Sequence, residues 1–449
     1  MYDVALFILF FTGVHTAVSL YWWTAFPVPY IACGAAMLLS VPRILPALRR
    51  ITWRQSWAVP AYLIVAVVIT LLTAQRQYLV YSIRGVGQLV YSVATAVSLY
   101  WLVLKIPRAR LARVCLALLV LLTAVAVLEA LGPLKGLVDT VVSWLSPNWN
   151  YSSEERDIIL MGAIRSKAFA PEPSIAAVSI FWLSMMFLWS TRLGTFQMTA
   201  WMVLMAADIW AIRSPVFLLT LVCGFVLLAV RRMADPTWQK LSSWRMVPVL
   251  LAVLLNVTVL AGAFSIFYQR AISIETGEGS YIMRISGPFV FTGKFLATHP
   301  IAGVGVVGDL RNLTEEIAKA YDSLGLRLDP TESIEKAVSN RLALHFIYFG
   351  GVGSVITIAL LLKASRLGHR LFWFVLLMQI VCFTLTGGGY NSAPMWAEFA
   401  ALLAVARIKL AADREEIRRE LMLPIAPRPT NGKRKSMAAR FGVRSVFRA

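Results

Sequence analysis

Three arginines, Arg213, Arg284 and Arg341, stand directly beside long apolar stretches of this chain. A guanidinium at the edge of hydrocarbon is costly unless an anion accompanies it. Its planar fork binds phosphate oxygens two at a time, so several arginines gathered at one membrane face suit a lipid-borne diphosphate. The alternative for each is to snorkel to lipid headgroups or pair with a nearby Asp or Glu. Arg165 joins the set through its neighbourhood. Arg165-Ser166-Lys167-Ala168-Phe169-Ala170-Pro171-Glu172-Pro173-Ser174 opens an apolar run, with Glu172 at the run's start. A carboxylate there can take the proton of an attacking hydroxyl. It can also do no more than cap free N–H groups and match the helix macrodipole.

Three further patterns surround the arginines. Ala211-Ile212-Arg213-Ser214-Pro215 separates two apolar runs. Arg284 precedes a short helical stretch ending in His299-Pro300-Ile301-Ala302-Gly303-Val304-Gly305, where Gly303 and Gly305 permit close backbone approach. Ser339-Asn340-Arg341-Leu342 leads into an apolar run that carries Gly350-Gly351-Val352-Gly353 further in. His345, alone on an apolar face, is read as packed. Asp208 and Glu398 are acids within apolar runs, for which interhelical hydrogen bonding is the first explanation.

The elements that position these residues follow from composition. Hydrophobic residues make up 59% of the 449 and charged residues 15%, against roughly 45–50% and about 25% in soluble domains. No soluble core absorbs that excess. The apolar residues fall in runs of about 17 to 23, the length that crosses a hydrocarbon layer about 30 Å thick. The expectation is an all-α polytopic membrane protein with about twelve transmembrane helices. The spans are 3–20, 25–41, 57–74, 86–104, 114–131, 173–190, 197–212, 214–230, 246–268, 341–362, 371–387 and 393–409. The N-terminus lacks a basic n-region and a small-residue cleavage site, so its first apolar stretch reads as a retained helix. Cys33, Cys115, Cys223 and Cys382 lie in apolar runs without paired spacing or His neighbours, which argues against disulfides and zinc. No metal or cofactor is called for.

A net charge of +20 suggests nucleic acid only until its placement is considered. With the N-terminus inside, the inner loops collect Arg43, Arg49, Arg50 and Arg54, then Lys105 to Arg113, then Arg192, then Arg231 to Arg245, then Lys363 to Arg370, and the tail after 409 adds ten more basic residues from Arg414 to Arg448. That is the positive-inside pattern with both termini cytoplasmic, and it removes nucleic acid as a partner. Division follows the spans: N-terminal transmembrane helices 1–131, an outer loop 132–172, central helices 173–268, a large outer loop 269–340, C-terminal helices 341–409 and a basic tail 410–449. In the large loop Leu310, Leu313, Ile317 and Ala320/Tyr321 recur at helical spacing, predicting an amphipathic helix on the outer surface. Arg311 and Arg327 are also on this side.

The order of the four motifs, Glu-Pro-Ser at a span entry, Arg-Ser between spans, Arg before Pro-x-x-Gly-x-Gly, and an Asn-led span with Gly-x-x-Gly, resembles the O-antigen ligase and polymerase superfamily. The resemblance covers about residues 150–360 and the overall hydropathy profile. It implies a metal-independent glycosyltransferase of the GT-C type in the bacterial inner membrane. Such an enzyme takes undecaprenyl-diphosphate-linked oligosaccharide at the periplasmic face, with membrane lipid as its surroundings and a chain-length regulator and a flippase as further partners. Carried onto this chain, the resemblance gives Arg213 and Arg284 to the diphosphate, with Arg165 and Arg341 beside them and Ser339, Asn340, Gly303 and Gly305 lining the substrate. Where many ligases have His-Asn, this chain has Ser339-Asn340. That departure favours an exopolysaccharide or O-antigen polymerase over a ligase that transfers finished glycan to an acceptor. A twelve-span flippase or secondary transporter is the rival outside enzymes, disfavoured because the irregular motifs cluster near the outer face and the long outer loops sit asymmetrically.

Overall fold

The computed structural model describes residues 1–17, 31–49, 57–145, 158, 164–191, 194–214, 217, 253–256, 258, 286–306, 310–325, 328, 337–338, 340–365, 376, 390 and 392–422. No strand occurs among them. The chain divides into a unit of residues 1–409 and a second of residues 410–449. Of the second only 410–422 are described, and they are helical.

The described helices are α1 (Tyr2–Thr16), α2 (Ile31–Arg49), α3 (Ala58–Thr73), α4 (Leu79–Lys105, preceded by a 3-10 turn Arg76–Tyr78), α5 (Arg108–Ala130), α6 (Lys135–Leu145), α7 (Pro173–Ser190), α8 (Thr195–Ile212), α9 (Gly287–Thr298), α10 (Thr314–Asp322), α11 (Arg341–Ser365) and α12 (Ala393–Met422). Four stretches are long and apolar enough to cross a membrane: Arg76–Lys105, Arg108–Ala130, Pro173–Ser190 and Arg341–Ser365. Tyr2–Thr16, Ile31–Pro46, Ala58–Thr73 and Phe196–Ile212 are apolar but shorter. The expected spans 214–230, 246–268 and 371–387 fall almost wholly outside the described residues. The first span ends at Thr16 instead of 20, because Ala17 turns into the left-handed region (φ 51°) and closes the helix.

Apolar residues surround α7 on every side, and it is buried accordingly. It packs against α5, α8 and α1, with Trp182 stacked on Phe11 at 5.5 Å between ring centroids. Being central, α7 places its entry segment, 164–172, over the middle of a core that also draws on α12. A second core joins α3, α4, α9, α10 and α11. Here the amphipathic helix appears as a 3-10 turn, Arg311–Leu313, followed by α10. Leu310, Leu313, Ile317, Ala320 and Tyr321, the residues of its apolar face, are all buried.

Helix α11 departs from the single straight span expected at 341–362. Its backbone breaks at Gly350 (φ 70°, ψ −171°). Twelve residues of straight helix span about 18 Å, yet His345 Nε2 is 3.2 Å from Thr357 Oγ1. The two pieces therefore lie side by side. A break strands carbonyls on one piece and N–H groups on the other, and the segment Pro300–Gly305 satisfies both. Val304 and Gly305 donate N–H bonds to the carbonyls of Ile347 and Tyr348, each at 3.0 Å, while Val352 and Gly353 donate to the carbonyls of Pro300 and Ile301, each at 3.1 Å. Only glycine fits this crossing. A Cβ on Gly303 would stand 2.0 Å from the Ile347 carbonyl oxygen, and one on Gly350 would stand 2.6 Å from the carbonyl carbon of Ala302.

Helix ends expected on one membrane side meet one another. Asp3 pairs with Arg43 at 3.9 Å, Lys105 donates to the Arg43 carbonyl, Arg108 donates to the Ser190 carbonyl at 3.0 Å, and Arg407 to Tyr100 at 2.9 Å. At the opposite ends His15 donates to the Ala168 carbonyl at 2.6 Å, and Val306 N–H to Thr70 Oγ1 at 2.8 Å.

Candidate functional site

Residues 164–172 enter α7 and carry two of the expected site residues, Arg165 and Glu172. The segment is fastened from beneath by Glu129, a buried carboxylate in the last turn of α5 that the sequence reading passed over. Glu129 Oε2 accepts the Ser166 hydroxyl at 2.5 Å, the Lys167 N–H at 3.0 Å and the Ala168 N–H at 2.7 Å. Lys167 Nζ meets Asp139 of α6 at 2.5 Å. From the side, Ser166 N–H donates to the Ala211 carbonyl at 3.1 Å. That bond ties the Arg165 segment to the end of α8, where Arg213 follows. The Arg165 and Arg213 segments, far apart in sequence, are thus brought together.

Backbone strain collects at the same place. The positive-φ residues other than glycine among those described are Ala17, Ala168, Phe169 and Arg213. Ala168 and Phe169 lie in the fastened segment, Arg213 caps α8 two residues past Ala211, and Ala17 ends the helix whose His15 holds Ala168. A left-handed residue with a Cβ costs about 1–2 kcal/mol, and such strain persists where the surroundings over-determine it.

Glu172 starts α7 with an extended backbone (φ −140°) and Pro173 behind it. Its carbonyl opens the helical ladder, accepting from Ile175 and Ala176 at 3.1 and 3.2 Å. Its carboxylate makes no capping bond to the helix, and instead accepts the Ser174 hydroxyl at 3.0 Å. The macrodipole still favours it, but its oxygens are not consumed by the helix start.

Arg341 and Asn340 belong to the second core. Asn340 Oδ1 caps α11, accepting from Leu342 and Ala343 N–H at 3.0 and 3.2 Å. Arg341 is buried, near enough to Glu398 of α12 for their charges to act on each other. With His345, Leu361, Tyr390, Trp396 and Phe399 it lines a cavity of about 70 Å³. His345, read from sequence as merely packed, is the centre of a buried chain of hydroxyls. Thr357 Oγ1 donates to helix carbonyls at 2.8–3.0 Å, so it accepts from His345 Nε2–H at 3.2 Å. His345 Nδ1 is then an acceptor for Tyr390 O–H at 2.9 Å, and Tyr390 in turn for Tyr62 O–H at 2.7 Å. The imidazole is thus held neutral, as one tautomer, and fastens the first piece of α11 to the second.

Gly303 and Gly305 serve the crossing at Gly350, where Gly305 (φ 79°) lies against Thr70. Asp208 joins α8 to α5, accepting from Thr123 at 3.0 Å. Arg284, Ser339 and Arg327 lie outside the described residues. Nothing described connects Arg341 with Arg165 or Arg213. Among the described residues no group of His, Cys, Asp and Glu could hold a metal ion, and Cys33 and Cys115 are buried free thiols. Compared with protein-family models, curated proteins and solved structures, the chain matches none.

Proposed function

We propose that this chain polymerises oligosaccharide repeat units carried on undecaprenyl diphosphate, as a metal-independent GT-C-type glycosyltransferase at the periplasmic face of the bacterial inner membrane, both termini cytoplasmic. The observation that carries the reading is the Ser166–Ala211 backbone bond, which draws the Arg165 and Arg213 segments together beside Glu172. In the reaction an acceptor hydroxyl oxygen bonds to the anomeric carbon of the donor sugar. The bond from that carbon to the diphosphate breaks, and the diphosphate leaves with the electron pair. Arg213 and Arg165, with Arg284 from the family resemblance, stabilise the charge that develops on it. Glu172 takes the hydroxyl proton.

The test is the glycan profile of a deletion strain complemented with Arg213→Lys, which keeps the charge and loses the fork. Long chains should disappear while single repeats are still exported and the protein still inserts. Full chain length with Arg213→Lys would overturn the diphosphate role. One observation favours transport instead: the break at Gly350, since transporters build substrate sites from interrupted helices. The same deletion strain separates the two, because loss of a transporter leaves lipid-linked repeats inside the cell.

A further inference from the structure

The crossing at Gly350 has a second consequence. By fixing Val304 against Ile347, it sets the start of the 304–312 stretch opposite the turn between α3 and α4. Between them lies a cleft lined by Gln75, Tyr78, Tyr81, Arg311 and Asn312, with Thr73 and Val304 at its base. Arg311 lies over the Tyr81 ring, 4.4 Å from its centroid, and donates to its hydroxyl at 2.9 Å. The lining has no carboxylate for a cation. Its one guanidinium is already engaged by Tyr81, so it is no seat for a multiply charged phosphate. Two phenol rings, two carboxamides and a guanidinium fit a neutral polyol. Rings cover the apolar C–H faces of a sugar, while amides and guanidinium meet its hydroxyls at both donor and acceptor positions. Both loops that make the cleft fall on the outer side in the charge pattern of the sequence.

We propose that this cleft is a glycan subsite, holding one or more sugar residues of the oligosaccharide chain apart from the carrier's phosphates. It rests on the polymerase reading for its place in the reaction, but the recognition itself involves only sugar. Holding the growing chain there keeps it from leaving between additions, so the cleft governs chain length and leaves the transfer step to the Arg213 site.

The experiment uses the purified full-length protein in detergent and delipidated oligosaccharides cut from the strain's own exopolysaccharide. Binding is followed by saturation-transfer NMR on wild type, Tyr81→Ala, Tyr81→Phe, Asn312→Ala and Arg213→Lys. Expected are binding by wild type and by Arg213→Lys, about fivefold weaker binding by Tyr81→Ala and Asn312→Ala, and a smaller loss in Tyr81→Phe, which keeps the ring. In the complemented deletion strain the cleft variants should make shorter chains in near-normal number, whereas Arg213→Lys makes none. No binding by wild type, or equal binding by wild type and both alanine variants, overturns the subsite. Should Arg213→Lys polymerise normally while Tyr81→Ala loses binding, the polymerase mechanism fails and the subsite stands. Asn312→Ala, at the mouth of the cleft, keeps the test decisive if Tyr81→Ala does not fold.

Discussion

Replacing Glu129 with Gln should loosen the segment that carries Arg165 without unfolding the bundle. Glu129 Oε2 alone takes three bonds, from Ser166 Oγ, Lys167 N and Ala168 N, while Oε1 takes one longer bond of 3.1 Å from Lys167 N. A glutamine can keep its oxygen at the Oε2 position. Its bonds then lose their charge, which about halves the strength of each, and its NH₂ faces the Lys167 N–H. Bonds to charged groups contribute about 1.5–3 kcal/mol against about 1 for neutral ones, so the loss is about 2–4 kcal/mol. Opposing it is the strain at Ala168 and Phe169, about 1–2 kcal/mol each. The two are comparable, so the fastened conformation becomes marginal in the variant. Hydrogen exchange on the 164–170 peptide in detergent should speed up by one to three orders of magnitude, with a melting temperature close to wild type and polymer formation strongly reduced. Exchange at the wild-type rate together with wild-type polymer would refute the claim that Glu129 sets this segment.

Gly303→Ala puts a methyl 2.0 Å from the Ile347 carbonyl oxygen, where only backbone can yield. It should lower thermal stability in detergent by at least about 3 kcal/mol, whereas Gly293→Ala, in α9 with open space at its Cβ, should raise it by about 0.5–1 kcal/mol. Glu172→Gln should cut polymer synthesis about 10²–10⁴-fold if the carboxylate takes the acceptor proton, with Ser174→Ala nearly unchanged. A rate unaffected by Glu172→Gln would leave the residue a helix-start anion only.

What the sequence made legible were the features whose cause is local. Leu310, Leu313, Ile317 and Ala320/Tyr321 announce α10 because one helical face had to be apolar, and that face is buried. Pro300, Gly303, Gly305 and Gly350 punctuate the chain where backbone has to approach backbone, so the motifs stood out even though their mutual contact did not. Glu129 was illegible for the opposite reason. A single carboxylate at the end of an apolar run resembles any interfacial acid, and its partners are N–H groups 38 and 39 residues away, which have no sequence signature. The His345 chain depends on Tyr390, 45 residues on, which in turn meets Tyr62 at a separation of 328. No spacing rule reaches that far. Arg341 looked like a residue at a span mouth because the run after it is long enough to cross a membrane unbroken. The fold-back at Gly350 instead carries Arg341 alongside Leu361 in the cavity wall.

Irregular backbone in a chain of apolar helices has to be satisfied within the protein, and this molecule concentrates it at one end of its bundle. Every positive-φ residue described, Ala17, Ala168, Phe169 and Arg213 together with Gly132, Gly305, Gly325 and Gly350, lies at or near helix ends, or in connections, that the charge pattern places outside. The ends placed inside close with regular turns and cation contacts, as Arg108 does on Ser190 and Arg407 on Tyr100. Four left-handed residues with side chains cost about 4–8 kcal/mol between them, a sum comparable to the net stability of a whole domain. Packing alone gives no reason to place that cost on a single side, because both ends of a helical bundle meet an equivalent interface. A site that must present arginines and a carboxylate to a charged headgroup supplies the asymmetry, and it locates the chemistry at the end where Arg165, Glu172 and Arg213 meet.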